Sequence, residues 1–358
     1  MTDYFFISSP LHLLVSANLS LLNPENESVA VIIAANGKTG TMFANAARKN
    51  PSVFSRVMPL SADIQGRRHK RSRLFRLLEE EFAQPGDTRL FAGNDRRIEF
   101  QYAMHVASQS DGSVAGAYMD EGAVTYMGHK SMHRVAHRFI DPLLRKLFYG
   151  PWYRQAVTTG ASGWAQTVYA AFPDAVHPLL KQKHIVPIDP SPFRSEPFKA
   201  LADTMLEGKD GYDALLGNMQ FVMTLPHEGS YIDRPGIYEQ VATQIFKHIP
   251  PEAVAIKAHP RITNRPLLDQ MFPGTVVLDN TVGMELLLTM LNDDCIVAGD
   301  ISSTLLTTKW LRPDLPAVAI LGPETDLGRL GALYRKLDIP MVETSELSEW
   351  LSQATGAR

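Results

Sequence analysis

The sequence lacks most of the features that would commit it to a large protein class. It holds one cysteine in 358 residues. Cys295 has no partner for an internal disulfide and sits in an apolar, strand-like run, so a reducing compartment, the cytoplasm, is expected. No run of 18 or more apolar residues occurs, so no transmembrane helix is expected, while peripheral membrane contact stays open. Met1-Thr2-Asp3 leads straight into Tyr4-Phe5-Phe6-Ile7 without a basic n-region or a small-residue cleavage site. That opening reads as a first strand, not a signal peptide. Lysine and arginine number 35 against 38 acids, a formal net charge of -3. The basic excess of a nucleic-acid partner is missing.

Several chemical signatures are missing too. No Asp-x-Asp triplet stands near a strand end, and no His/Cys/Asp/Glu spacing forms a metal motif, so no metal or other cofactor is expected. Asn36-Gly37-Lys38-Thr39-Gly40 lacks the upstream glycine of a Walker loop and reads as a turn. No Gly-x-Ser-x-Gly elbow supports a hydrolase. Internal repeats, heptads and low-complexity segments are also absent.

What is present is a globular composition, 45% hydrophobic and 20% charged. At this length the chain can bury a sizeable core, and two domains fit better than one. Tyr4 to Ile7 is apolar, Ser8-Ser9-Pro10 breaks the run, and Leu11 to Leu22 has helical apolar spacing. Val29 to Ala34, Arg89 to Ala92 and Ala115 to Met119 are further strand candidates, and the alternation argues for βαβ units and a parallel sheet. A second series follows: strands at Gln220 to Leu225, Ala253 to Lys257, Cys295 to Ala298 and Val318 to Leu321, with a helix at Gly283 to Leu291. The boundary falls near Gly208 to Gly217. Residues 1–212 are expected to form a first Rossmann-like domain and 213–340 a second, with 341–358 a C-terminal helix that packs back across them.

Three constellations lie where ligands bind in open α/β sheets, at strand ends. Tyr118-Met119-Asp120-Glu121-Gly122 closes an apolar strand with two acids and a glycine that permits a tight turn. A solvated turn is the plain alternative. Ile256-Lys257-Ala258-His259-Pro260-Arg261 sets a histidine beside a proline that restricts it; it suits a phosphate leaving group near neutral pH, or is an ordinary surface histidine. Glu285, on the expected helix, precedes Gly299-Asp300-Ile301-Ser302-Ser303-Thr304. The serines would cap the next helix, whose N-terminal amides also suit a phosphate.

Taken together, the order acid-acid-glycine, Lys-x-His-Pro, helical glutamate and Ser-Ser resembles the shared pattern of bacterial sialyltransferases and polysialyltransferases. The opening Tyr4-Phe5-Phe6-Ile7-Ser8-Ser9-Pro10-Leu11-His12-Leu13-Leu14 is similar to the start of the capsular polysialyltransferase and lipooligosaccharide sialyltransferase families; long stretches between the motifs are not matched. The resemblance implies an α/β protein of the GT-B glycosyltransferase type, two Rossmann-like domains with an interdomain cleft. It also implies a metal-independent, inverting transfer of a sialic acid or related nonulosonate from CMP to a surface glycan.

On the same resemblance, Asp120 is the general base and Glu121 the acid that tunes or substitutes for it. His259 meets the CMP phosphate as acid or electrostatic stabiliser. Lys257, Pro260 and Glu285 lie close to the nucleotide, and Ser302 and Ser303, with Thr304, hold the phosphate. Ser9, Asn94 and Asp95 are candidate acceptor or donor-sugar contacts; a solvated loop is the alternative for Gly93 to Glu99.

Two basic segments bear on partners. Arg67-Arg68-His69-Lys70-Arg71-Ser72-Arg73 is a solvated helix face or a site for an acidic glycan or anionic lipid. His129 to Arg154 mixes cations with Phe139, Phe148, Trp152 and Tyr153, which suits the anionic inner membrane, domain packing or a homodimer contact. The rival readings are a transferase using another donor, such as CMP-Kdo or a UDP or CDP sugar, and a non-catalytic glycan-binding protein of capsule assembly.

Overall fold

The aromatic run at the start of the chain forms strand β1 (Thr2–Ile7), in which Phe5, Phe6 and Ile7 are almost wholly buried. A strand apolar on both faces requires cover on both, which a parallel sheet flanked by helices supplies. The structure, a computed structural model, describes residues 1–33, 37–60, 67–128, 146, 149–207, 211–227, 229, 235–259, 262, 264–280, 282–322, 325 and 327–356. The chain divides into two units, Met1–Glu207 and Gly208–Arg358.

In the first unit β1 is joined by β2 (Glu27–Ile33), β3 (Arg56–Leu60), β4 (Thr88–Ala92), β5 (Val114–Met119), β6 (Thr167–Ala170) and β7 (His184–Pro187). Every pairing is parallel, in the order β3-β2-β1-β4-β5-β6-β7. Its helices are α1 (Pro10–Leu21), α2 (Lys38–Lys49), α3 (Arg67–Phe82), α4 (Ile98–Ala107), α5 (Ala123–Met127) and α6 (Glu196–Met205). The break after β1 starts α1: Ser9 accepts the His12 amide hydrogen bond at 3.2 Å, and Pro10 opens the first turn, where a missing N–H costs nothing.

The second unit holds α7 (Tyr212–Gly217), β8 (Phe221–Thr224), α8 (Pro235–Ile245), β9 (Val254–Lys257), α9 (Arg265–Met271), β10 (Val276–Val277), α10 (Met284–Leu287), β11 (Ile296–Gly299), α11 (Ser303–Leu311), β12 (Ala317–Leu321), α12 (Gly328–Lys336), β13 (Met341–Glu343) and α13 (Leu347–Gly356). Its strands run parallel in the order β10-β9-β8-β11-β12-β13. Leu347 and Leu351 of α13 join the apolar core of this unit together with Tyr238, Val241 and Ile245 of α8.

Both sheets therefore have the same winding. Strand order reverses once in each, between β1 and β4 and between β8 and β11, and chain connections leave a crevice at such a reversal. The residues after β1 and β4 are Ser8-Ser9 and Gly93-Asn94; those after β8 and β11 are Leu225-Pro226-His227 and Asp300-Ile301-Ser302.

The helix expected over Gly283 to Leu291 is shorter. Its α-helical part stops at Leu287, and the Thr289 hydroxyl and amide both bond the Leu286 carbonyl, closing a turn in place of another helical step. Trp152 and Tyr153 lie in the first unit's core beside Phe100 and Trp164. Residues 129–145, 147 and 148 lie outside the described residues, as do the side chains of 67–72.

Candidate active site

The acid pair ends β5 in the first unit. Asp120 is 3% exposed, and its carboxylate accepts hydrogen bonds from the Gly122 amide (2.8 Å), the Thr125 hydroxyl (3.0 Å), the Ala171 amide (2.9 Å) and the Tyr126 hydroxyl. Burial drives this carboxyl above the ordinary range, against the pull of those donors. Four donors fill the acceptor directions of one carboxylate. The general-base role expected for Asp120 thus meets a physical obstacle, since an acceptor hydroxyl finds no vacant oxygen there. Gly122 adopts φ +77°, which lets the turn fold the Gly122 amide back onto Asp120.

Glu121 points differently. Its side chain keeps 25% of its surface, and Oε1 lies 3.7 Å from Nε2 of His12, a ring 2% exposed. His12 Nδ1 faces the Ser8 hydroxyl at 3.1 Å, whereas Nε2 is buried with no hydrogen-bond partner. The ring lies over Gly93: a Cβ there would stand 2.2 Å from Nε2. β1, β4 and β5 are neighbours in register, so their ends bring Ser9, Asn94 and Glu121 to one edge of the sheet.

Ser9 and Asp95, expected as sugar contacts, have structural duties. The Ser9 hydroxyl caps α1. Asp95 is fully buried, with its oxygens on the amides of Gly160 and Ser162, both at 2.8 Å, so it organises a loop and presents no oxygen to a sugar. Burial raises its carboxyl. Asn94 is partly exposed, and its Oδ1 accepts the Arg96 amide at 3.2 Å.

In the second unit, parallel register aligns Lys257 at the end of β9 with Thr224 at the end of β8, and Thr224 with Gly299 of β11. The backbones crowd at this reversal; a Cβ on Gly299 would meet Thr224 Oγ1 at 2.0 Å. Lys257 is buried and donates to the carbonyls of Ala258 (3.0 Å) and Asn280 (3.3 Å). Its charge acts on Glu285, whose carboxyl burial nevertheless holds above the ordinary range. A cavity of about 620 Å³ is lined by Tyr212, Ala258, Ile262, Arg265, Asp279 and Asn280, two of which, Ala258 and Asn280, accept from Lys257. It is of a size that takes a nucleoside.

Ser302 occupies the N-cap position of α11, but its hydroxyl makes no capping bond and is buried without a partner. Its backbone is held instead by Tyr334, whose hydroxyl accepts the Ser302 amide (2.9 Å) and donates to the Ser302 carbonyl (2.6 Å). Ser303, exposed, and Thr304 follow in the first turn. The N-terminal amides of a helix lack intrahelical partners and favour an anion. Pro260 lies outside the described residues.

His227 was not singled out in the sequence. It follows β8 at the strand reversal, exposed, with its ring centroid 5.5 Å from that of His259. Its Nδ1 accepts the Gly229 amide at 3.1 Å, which leaves Nε2 to carry the proton of the neutral ring. The signal was present, because Pro226-His227 follows a strand end much as Ala258-His259 does.

No protein-family model matches the chain, and no curated protein does either. Solved structures do. An α/β-galactoside α-2,3-sialyltransferase from the luminous marine bacterium Photobacterium phosphoreum superposes with a TM-score of 0.60 at 12% identity, over 97% of this chain and 98% of that one. The GT-B domain of a sialyltransferase from Photobacterium damselae gives 0.56 at 13% identity, over 96% and 100%. The fold is GT-B. A UDP-GlcNAc 2-epimerase from Methanocaldococcus jannaschii gives 0.58 at 12% identity, over 99% and 91%. At these identities the likeness establishes architecture alone.

Proposed function

We propose that this chain is an inverting glycosyltransferase that moves a sialic acid or related nonulosonate from a CMP donor to a hydroxyl of a surface glycan such as lipooligosaccharide or capsule. The observation that carries the reading is the carboxyl edge of the second sheet. There Lys257 interacts with Glu285 and bonds two carbonyls of residues that line a nucleoside-sized cavity, and the unpartnered Ser302 hydroxyl begins a helix. In this reading the donor phosphate lies at the α11 N-terminus with Ser302, Ser303 and Thr304. Glu285 accepts from the cytidine or ribose, and Lys257 and His259 balance the departing phosphate. Fixed donors of this kind stabilise charge that develops only in the transition state.

One carboxylate of the acid pair that follows β5 takes the acceptor proton. As the acceptor oxygen bonds to the anomeric carbon, the carbon–oxygen bond to the phosphate breaks with its electron pair leaving on CMP. Attack from the face opposite CMP inverts configuration, and no metal or other cofactor takes part. The site of action is cytoplasmic, with a lipid-linked acceptor and peripheral contact with the anionic inner membrane through the basic segments.

One observation favours a second reading, a different nucleotide donor: the UDP-GlcNAc 2-epimerase superposes almost as well as the sialyltransferase. Calorimetric titration with CMP and UDP separates the two. The proposal expects CMP to bind more tightly, and CMP-sialic acid to release CMP only when a galactoside or sialoside acceptor is added, with or without EDTA. Binding of UDP in preference to CMP overturns it.

A further inference from the structure

Asp120 has no vacant oxygen, whereas its neighbour Glu121 is partly exposed and faces a histidine. That histidine is built into its position from three sides. The Ser8 hydroxyl meets Nδ1, the absent side chain of Gly93 makes room for the ring, and the Ser16 hydroxyl donates to the His12 carbonyl at 2.6 Å. The tautomer in which Ser8 donates to Nδ1 places the ring's proton on Nε2, the atom directed at Glu121. A buried N–H without a partner is unfavourable unless something answers it. The Glu121 carboxylate at 3.7 Å is the group that does so.

We propose that Glu121 takes the acceptor proton and that His12 is its positioning residue, with Asp120 serving to shape the turn that carries Glu121. The inference rests on the glycosyltransferase reading for its chemistry, but the pairing itself does not. In the step, the acceptor O–H proton passes to a Glu121 carboxylate oxygen while the acceptor oxygen forms its bond to the anomeric carbon, and the displaced electron pair leaves on the phosphate. His12 holds the carboxylate in one orientation before and through the step, and the proton stays on the Glu121 oxygen that received it. Glu121 also acts on the Tyr118 hydroxyl of β5, together with Asp120 just beyond that strand, and among the described residues His12 is the basic group that Glu121 meets.

The test uses the full chain and urea unfolding without any substrate, in a double-mutant cycle of Glu121→Gln and His12→Leu. Because the two side chains face each other at 3.7 Å, the double variant should lower the unfolding midpoint by less than the sum of the two single changes. Strictly additive shifts overturn the pairing.

With CMP-sialic acid and acceptor, Glu121→Gln should lower kcat at least about 100-fold, the scale of general-base catalysis, with CMP affinity unchanged. His12→Gln, which keeps an N–H donor, should retain more activity than His12→Leu. Wild-type kcat in Glu121→Gln overturns the catalytic assignment. A non-additive cycle in a protein whose wild type turns over no CMP-sugar overturns the glycosyltransferase reading and leaves the pair intact.

Discussion

Replacing Asp120 by alanine separates structure from chemistry at the end of β5. The change removes the acceptor of two backbone amides, Gly122 and Ala171, and of two hydroxyls, Thr125 and Tyr126. The hydroxyls can rotate: Thr125 Oγ1 is 2.8 Å from the Tyr118 hydroxyl, and the Tyr126 hydroxyl can turn its hydrogen away while its oxygen still accepts from the Phe172 amide at 3.2 Å. The amides are fixed by the turn and by the end of β6. Each buried donor left unsatisfied costs about 1–3 kcal/mol, so the two amides together cost about 2–6 kcal/mol. Losing a carboxylate that resists burial returns part of this, which from the middle of that range leaves about 2–3 kcal/mol. With a urea m-value of about 2–3 kcal/mol/M, the midpoint of the first unit should fall by about 1 M. Trp152 and Trp164 report on that unit in a background carrying Trp310→Phe and Trp350→Phe, which keeps the second unit's transition out of the signal. An unshifted midpoint together with abolished transfer would refute the reasoning and return Asp120 to the role of base.

Two further substitutions test the second unit. Ser302→Ala removes a hydroxyl that bonds nothing in the protein, so stability should stay within about 0.5 kcal/mol. CMP affinity in calorimetry should nevertheless fall about tenfold or more, the loss of one hydrogen bond to a charged phosphate. Burial raises the folded-state carboxyl of Glu285 above its unfolded value, so the folded state holds that proton more tightly. This contribution to stability is complete below the ordinary glutamate value and is lost as pH rises through the raised one. Glu285→Gln should therefore flatten the stability profile of the second unit across that acid window and stabilise it at pH 7, while weakening CMP binding. A less stable variant at pH 7 would show that the ionised carboxylate holds the fold together.

How much was legible depended on whether a residue's role is local. β1, β2, β4, β5, β8, β9, β11 and β12 announce themselves as short apolar runs because each is covered on both faces. β3, β10 and β13 are edge strands, paired on one side, and Arg56 to Leu60 or the two residues Val276–Val277 carry too little apolar pattern to be read. The paired acids, the Lys-x-His segment and the paired serines stood out as motifs at strand ends. What each side chain does there was not legible. Asp120 and Glu121 are adjacent and chemically alike, yet one is enclosed by Thr125, Tyr126 and Ala171 and the other is left facing His12, which lies more than a hundred residues earlier in the chain.

By itself the sequence determined the class of architecture, two α/β series in succession, because apolar spacing and turn residues are local properties that survive without knowledge of partners. It also determined the strand ends at which any chemistry would gather, since polar and glycine-bearing breaks after buried strands mark them. The tertiary structure alone decided strand order, and with it that the strand reversals bring Ser8, His12 and Gly93 to Glu121 and set His227 near His259. It likewise decided which polar atoms are satisfied. Gly122, Thr125 and Tyr126 lie close to Asp120 in the chain, but which way their donors turn, and the arrival of the Ala171 amide that completes the set, are set by folding, as is the enclosure that leaves Ser302 and His12 Nε2 wanting.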